Sequence, residues 1–273
     1  MKIDVRARNH VTEIGRGERV LVLAHGFGCD QRIWRFVAAD LARDHRIVLF
    51  DYVGSGRSDL RAWTPQRYGS LQGYKLDMIE VLEALRHEQV VLIGHSISGS
   101  IGALASIARP ELFERLIMVG PSPCFINDGD YVGGFERQDV MDMLDLMDRN
   151  MVGWADMLAP LVVKTTVWPE RVAEMRENLC AGDPAIVRRF AEVVFTSDIR
   201  QHLPDIPVPV LIMQCADDAV APLSVGDYLQ RHIPRARLNR MAATGHCPHL
   251  SHPDETIALI RDELRRPRRA ARP

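Results

Sequence analysis

The stretch Val90–Gly102, VVLIGHSISGSIG, decides how the rest of the chain is read. Val90, Val91, Leu92, Ile93 and Gly94 form a short run with the character of a buried strand, and the segment from Ile97 to Ile107, apolar with small residues, has the character of a helix. Ser96 stands at the joint. A serine there, with small neighbours, meets the demands of a nucleophile elbow. The turn is strained, bulky side chains would strike the strand or the helix, and the hydroxyl is pushed out at the C-terminal edge of the sheet. It also lies over a helix N-terminus, where backbone N–H groups favour developing negative charge. The pattern Gly94-His95-Ser96-Ile97-Ser98 departs from G-x-S-x-G only at its last position, where the small Ser98 replaces glycine and Gly99 follows. So short a pattern recurs by chance, and the flanking chain has to decide.

Outward from this stretch the chain alternates between strand and helix. Val20–Ala24 (VLVLA) and Arg46–Phe50 are apolar strands on either side of a helix carrying Trp34, Val37 and Leu41 on one face. Leu71–Leu85 is a helix leading into the strand before Ser96, and Leu116–Gly120 is the next strand. Residues 3–14 alternate loosely and are expected to form an edge strand or hairpin, turning at Gly15 and Gly17. Continuous apolar strands mean burial on both faces, hence an α/β fold with a mostly parallel central sheet and helices on both sides. The loop Asp51–Asp59 contains Gly54-Ser55-Gly56 but lacks the third glycine of a phosphate-cradling G-x-G-x-x-G, so a structural turn is expected.

From 124 to 198 the rhythm stops. Four helical patterns, near 136–149, 151–164, 169–179 and 184–195, follow a hinge-like turn at Tyr131–Phe135, with breaks at Asn150 and Gly153, Pro169 and Gly182-Asp183-Pro184. This insertion is read as a cap over the C-terminal edge of a core made of residues 1–123 and 199–273, where such sheets bind ligands. Most of its large apolar residues must form the cap's own core, with Trp154 and Phe195 favoured to line a pocket above Ser96. Beyond the cap the rhythm returns, with strands at 208–214 and 237–241 and a closing helix at 256–264.

A serine nucleophile needs a base to take its proton and a carboxylate to hold that base in the right tautomer. Chain order Ser, acid, His is that of the α/β-hydrolases, each residue following a strand. Here Ser96 is followed by Asp217 and Asp218 in Cys215–Pro222, and then by His246. Asp218, four residues before Pro222, is favoured over its neighbour Asp217. The oxyanion donors are expected to be the backbone N–H groups of Ile97 and Phe27. His249 and His252 beside His246 could suggest a metal, but no matching Cys/His set occurs elsewhere, and neither a metal nor a cofactor is expected. His249 is expected to serve packing or a loop hydrogen bond.

At 273 residues with a formal net charge of -2, the chain fits one α/β domain with an insertion and gives no reason to expect nucleic acid or anionic membrane as a partner. Five widely spaced cysteines, with no apolar signal region in MKIDVRARNH and no membrane-length apolar run, lead to the expectation of a soluble, reduced, cytoplasmic protein. The basic end, RRPRRAARP at 265–273, is read as a solvated, frayed tail.

HGFGCDQRIW (25–34), DYVGSGRSDLRA (51–62), GHSIS (94–98), GPSPCFINDGDYVGGFE (120–136), QCADDAVAP (214–222) and GHCPHLSHPDET (245–256) closely resemble the RsbQ group of α/β-hydrolases. Those bacterial proteins are needed for energy-stress activation of a general stress sigma factor, and the plant strigolactone and karrikin receptors are similar but more distant. The resemblance runs from Arg8 to Leu264. It implies a four-helix V-shaped cap, a triad of Ser96, His246 and Asp218, and a buried apolar pocket lined by Phe27, His95, Phe125, Trp154 and Phe195. It further implies a small apolar ester or lactone as ligand, and a phosphatase or other signalling protein as partner. Two rival functions share these residues: a ligand sensor whose hydrolysis is slow or incidental, and a cofactor-free haloperoxidase or carbon-carbon bond hydrolase.

Overall fold

The structure, a computed structural model, describes residues 4–87 and 89–267. Seven strands form one sheet: β1 (Thr12–Ile14), β2 (Val20–Ala24), β3 (Arg46–Phe50), β4 (Val90–His95), β5 (Phe113–Val119), β6 (Val210–Asp217) and β7 (Ala236–Thr244). Their order is β1-β3-β2-β4-β5-β6-β7, parallel throughout except that the edge strand β1 runs antiparallel to β3. Every residue of β2 and β4 is buried, as the continuous apolar runs require. The chain builds outward from β2 to β3 and then returns to place β4 on the other side of β2. Ligands of open α/β sheets bind at such a reversal, outside the strands' carboxyl ends. Here the flanking ends carry the His25–Phe27 loop and Ser96, with Ala24 paired to Gly94.

The β4 turn works because Gly94 has no side chain. A Cβ on Gly94 would sit 2.7 Å from the carbonyl carbon and oxygen of Ser98, so the helix Ile97–Ala108 packs directly onto the strand it follows.

Of residues 3–14, expected to form an edge strand or hairpin, the edge strand is found at β1 and the N-terminal part differs. Only Thr12–Ile14 is strand, and Val5–Arg8 is a helical turn because the Asp4 carboxylate accepts from the Arg6 and Ala7 N–H groups. The Arg8 side chain is buried and pairs with Asp77 and Glu80, a draw that a solvent-facing hairpin strand could not satisfy. Asp77, fully buried in the helix Leu71–Ala84, also accepts from Tyr68 Oη at 2.9 Å, Arg67 Nη2 at 2.8 Å and Asn9 Nδ2 at 3.3 Å. The Asp51–Asp59 loop is a self-supporting turn, with Asp51 accepting from the Gln31 and Arg57 N–H groups and Ser58 Oγ accepting from the Gly54 N–H.

The segment between β5 and β6 carries the helices Arg137–Arg149, Met151–Val163, Pro169–Cys180 and Pro184–Phe195. It leaves and rejoins the core at adjoining points, where Cys124 and Asp198 form an antiparallel bridge and the Ile199 N–H donates to Pro123. Gly153 lies inside its helix rather than breaking it, because its N–H is capped by Asn150 Oδ1. The Tyr131–Phe135 turn is braced rather than hinge-like: Asn127 Oδ1 accepts from the Gly133 and Gly134 N–H groups, and Tyr131 Oη donates to Cys124. No helix among the described residues is long and apolar enough to cross a membrane. Of the basic end, residues 268–273 lie outside the described residues.

Removing one member of a buried, paired charge cluster leaves its partners desolvated. Asp77→Ala is therefore expected to destabilise the protein by about 3 kcal/mol or more in urea unfolding, and a loss under about 1 kcal/mol would contradict this account.

Candidate active site

Ser96 adopts φ 54°, ψ -124°, a left-handed conformation unusual for a non-glycine residue. Its N–H donates to Val119 on the neighbouring strand at 2.8 Å, and its carbonyl accepts from the Gly99 N–H at 2.9 Å. Strand and helix hold the strained residue from both sides. The Ser96 hydroxyl lies 2.8 Å from His246 Nε2, and His246 Nδ1 lies 2.8 Å from Asp218 Oδ2. The carboxylate is acceptor-only when ionised, so Nδ1 carries the proton and Nε2 is left as the base facing Ser96.

Asp217 and Asp218 separate cleanly. Asp217, at the end of β6, points to the surface and pairs with Lys164 Nζ, whereas Asp218 turns inward. Burial works to raise the Asp218 carboxyl, but the facing His246 and the Val220 and Ala221 N–H donors outweigh it and hold it below its ordinary value of 3.8. Ser96, His246 and Asp218 are all buried, so their mutual hydrogen bonds are little weakened by water.

His95 is fully packed beside this group, and its Nε2 donates to the His246 carbonyl at 2.9 Å. Burial, together with His249 and His246 nearby, pushes its pKa well down, so the ring is neutral. His249 serves packing rather than a hydrogen bond. Among the described residues neither of its ring nitrogens has a hydrogen-bond partner, it lies against Trp34 and His95, and burial with neighbouring His246 and Arg35 lowers its pKa to about 3. Among the described residues no group of three or more His, Cys, Asp or Glu side chains is placed to hold a metal.

A mostly apolar cavity of about 40 Å³ opens on Ser96 and His246. Phe27, His95, Phe125 and Phe195 line it. Trp154 does not. It is wholly buried among the cap's helices, and its ring packs on Phe27, which does face the cavity. Leu158, Val162, Met175, Leu179 and Val194 of the cap complete the wall, with Cys29, Val220 and Cys247. Leu158 with Val162, and Met175 with Leu179, stand at i,i+4 spacing, a signal legible in the sequence. That spacing marks an apolar face without telling whether it meets a cavity or another helix. Burial pushes the Cys29 and Cys247 thiols up, so they stay protonated beside the serine. Ile97 opens its helix, where the first N–H groups lack intrahelical partners, and Phe27 follows β2 on the adjoining loop.

The cap and the His246 loop are joined. The Val162 carbonyl, near the end of the helix Met151–Val163, accepts from both the His246 N–H at 2.7 Å and the Cys247 N–H at 3.1 Å.

Residues 21–259 match the model of the alpha/beta hydrolase family. The chain belongs to that family. This hydrolase is 38% identical over 258 residues to a probable esterase of Oryza sativa subsp. japonica, covering 94% of this chain and 95% of that one. It is 36% identical to a strigolactone esterase of Arabidopsis thaliana, with 94% and 96% covered. A solved hydrolase from Oleispira antarctica superposes with a TM-score of 0.94 at 42% identity, 97% of each chain being covered. A Ser-His-Asp triad is the norm of the hydrolase family.

The lowered Asp218 pKa fixes a sign. A depressed carboxylate contributes stability that is present above its unfolded value and is lost as pH falls through its folded value. The stability difference between the wild-type hydrolase and Asp218→Asn should therefore hold steady above about pH 5 and shrink below about pH 4, read by thermal unfolding across pH. At neutral pH the same variant should lose about 10³–10⁴-fold in kcat, because the amide no longer selects the His246 tautomer.

Proposed function

We propose that the chain is a serine hydrolase that cleaves a small apolar ester or lactone through an acyl-enzyme. The observation that carries this is the unbroken line of two 2.8 Å hydrogen bonds, from Asp218 through His246 to Ser96, at the floor of an apolar cavity. Ser96 Oγ attacks the carbonyl while His246 Nε2 takes its proton. The tetrahedral oxyanion is received by the Phe27 and Ile97 N–H groups. As the C–O bond breaks, His246 returns the proton to the leaving alkoxide, which stays tethered to the acyl group if the substrate is a lactone. Water, activated by the same imidazole, then releases the acid.

The cavity's mostly apolar wall, built from Phe27, Phe125, Leu158, Val162 and Phe195, supports an apolar acyl group. We further assign the protein to the RsbQ type, acting in stress signalling with a phosphatase or other signalling partner, on the GPSPC and GHCPHLSHP stretches. Its five free thiols support a reducing, cytoplasmic setting. A second reading, a ligand sensor with incidental hydrolysis, is favoured by the Val162 carbonyl, which couples the cap to the backbone of His246. Several similar plant proteins are named karrikin insensitive 2 receptors.

Intact-protein mass spectrometry after mixing with p-nitrophenyl acetate should detect acetylation that is absent in Ser96→Ala, with turnover reduced by at least about 10⁴-fold in that folded variant. Undiminished turnover in Ser96→Ala would overturn the hydrolase mechanism. A butenolide that raises the melting temperature of Ser96→Ala would support the sensor reading, and the absence of any such response would count against it.

A further inference from the structure

We propose that Ser98 is a positioning residue of the oxyanion hole, its hydroxyl locking the loop that carries the Phe27 N–H to the helix that carries the Ile97 N–H. The inference rests on the esterase reading above. It begins at the one position where this chain departs from G-x-S-x-G.

Ser98 is completely buried, and its Oγ donates to the His25 carbonyl at 2.5 Å. Tyr52 Oη lies 2.9 Å from the same Oγ. Because the serine proton is committed to the carbonyl, the tyrosine is the donor to Oγ. Burial raises the Tyr52 pKa far above neutrality, so it is a phenol and has that proton to give. The Tyr52 backbone N–H donates to His25 Nε2 at 3.2 Å, which places the imidazole proton on Nδ1, and Nδ1 donates to the Gly26 carbonyl at 2.8 Å.

The first three of these hydrogen bonds join the ends of three adjacent strands, and the fourth lies within the loop after β2. His25 follows β2, Tyr52 follows β3, and Ser98 stands in the first turn of the helix after β4. Ser98 is one residue from Ile97, and His25 is two residues from Phe27. The two candidate oxyanion donors arrive on separate segments of chain, and the Ser98–His25 hydrogen bond is a direct, buried link between those segments. Oxyanion stabilisation depends on donors fixed in advance at the position the charged oxygen will take, so a loosened loop weakens the transition state more than it weakens ground-state binding. Glycine at position 98 would satisfy the close packing of the elbow equally well but would leave the His25 carbonyl and the Tyr52 hydroxyl without this link.

The test is steady-state hydrolysis of p-nitrophenyl acetate by wild type and Ser98→Ala, together with the inhibition constant for methylboronic acid, whose tetrahedral serine adduct places an oxygen in the hole. Ser98→Ala is expected to lose about tenfold to hundredfold in kcat with KM unchanged, less than removal of a whole oxyanion donor. The boronate inhibition constant should rise by a similar factor. A merely structural role would reduce the folded fraction, lowering kcat while leaving both KM and the boronate constant unmoved, and that outcome would overturn the proposal. So would a folded variant with kcat within about twofold of wild type. If Ser98→Ala does not fold, Ser98→Gly, the residue of the common pattern, is read by the same criteria. A wild type that is neither acetylated nor turns over the ester would overturn the esterase reading itself. Normal wild-type turnover with unaffected Ser98 variants would overturn only this inference.

Discussion

The strained backbone of Ser96 is the constraint around which the site is arranged. A residue held at φ 54° between a buried strand and a buried helix would relax if either neighbour gave way. It is held by the hydrogen bond to Val119, by the one from Gly99, and by the direct approach of the helix to Gly94. That strain lifts the hydroxyl off the sheet edge and leaves the Ile97 N–H at the open end of the helix. His246 and Asp218 then reach the serine from loops after β7 and β6, because parallel strands deliver all their carboxyl ends to one side.

Burial gives these hydrogen bonds their weight and also imposes conditions. With the side chains of Ser96, His246 and Asp218 shielded from water, an ionised Asp218 needs its full complement of partners, which His246 and the Val220 and Ala221 N–H groups supply. The neighbouring His95 and His249 stay neutral because they are buried, so neither sets a positive charge beside His246. The cap excludes solvent and reaches into the constellation through Val162, whose carbonyl fixes the backbone on which His246 sits. The cap wall and the backbone of His246 are therefore tied to each other by that carbonyl.

Much of this was legible in the residues. The continuous apolar runs at Val20–Ala24 and Val90–Ile93 specify doubly covered strands, the order Ser96, Asp218, His246 follows the strand-end loops, and Asn150, Pro169 and Asp183 punctuate the cap. Local chemistry was enough for these, because periodicity and capping act over one or two turns of chain. The helical turn at Val5–Arg8 was not legible, since it depends on Arg8 finding Asp77 and Glu80 far along the chain. Nor was the place of Trp154: a buried indole in the cap's interior and one facing the cavity have the same sequence pattern.

The sequence by itself determined the fold class, the serine at the elbow, and the order in which acid and base follow it, because each is written in short-range pattern and chain order. Sequence spacing favoured Asp218 over Asp217, and the tertiary structure sets it against His246; tertiary structure alone decided which side chains close the cavity and that Ser98 bonds to His25. Those are contacts between segments far apart in sequence. Their geometry exists only once the strands are in register and the cap is packed, when burial turns a choice between adjacent residues into one between a paired carboxylate inside and a solvated one outside.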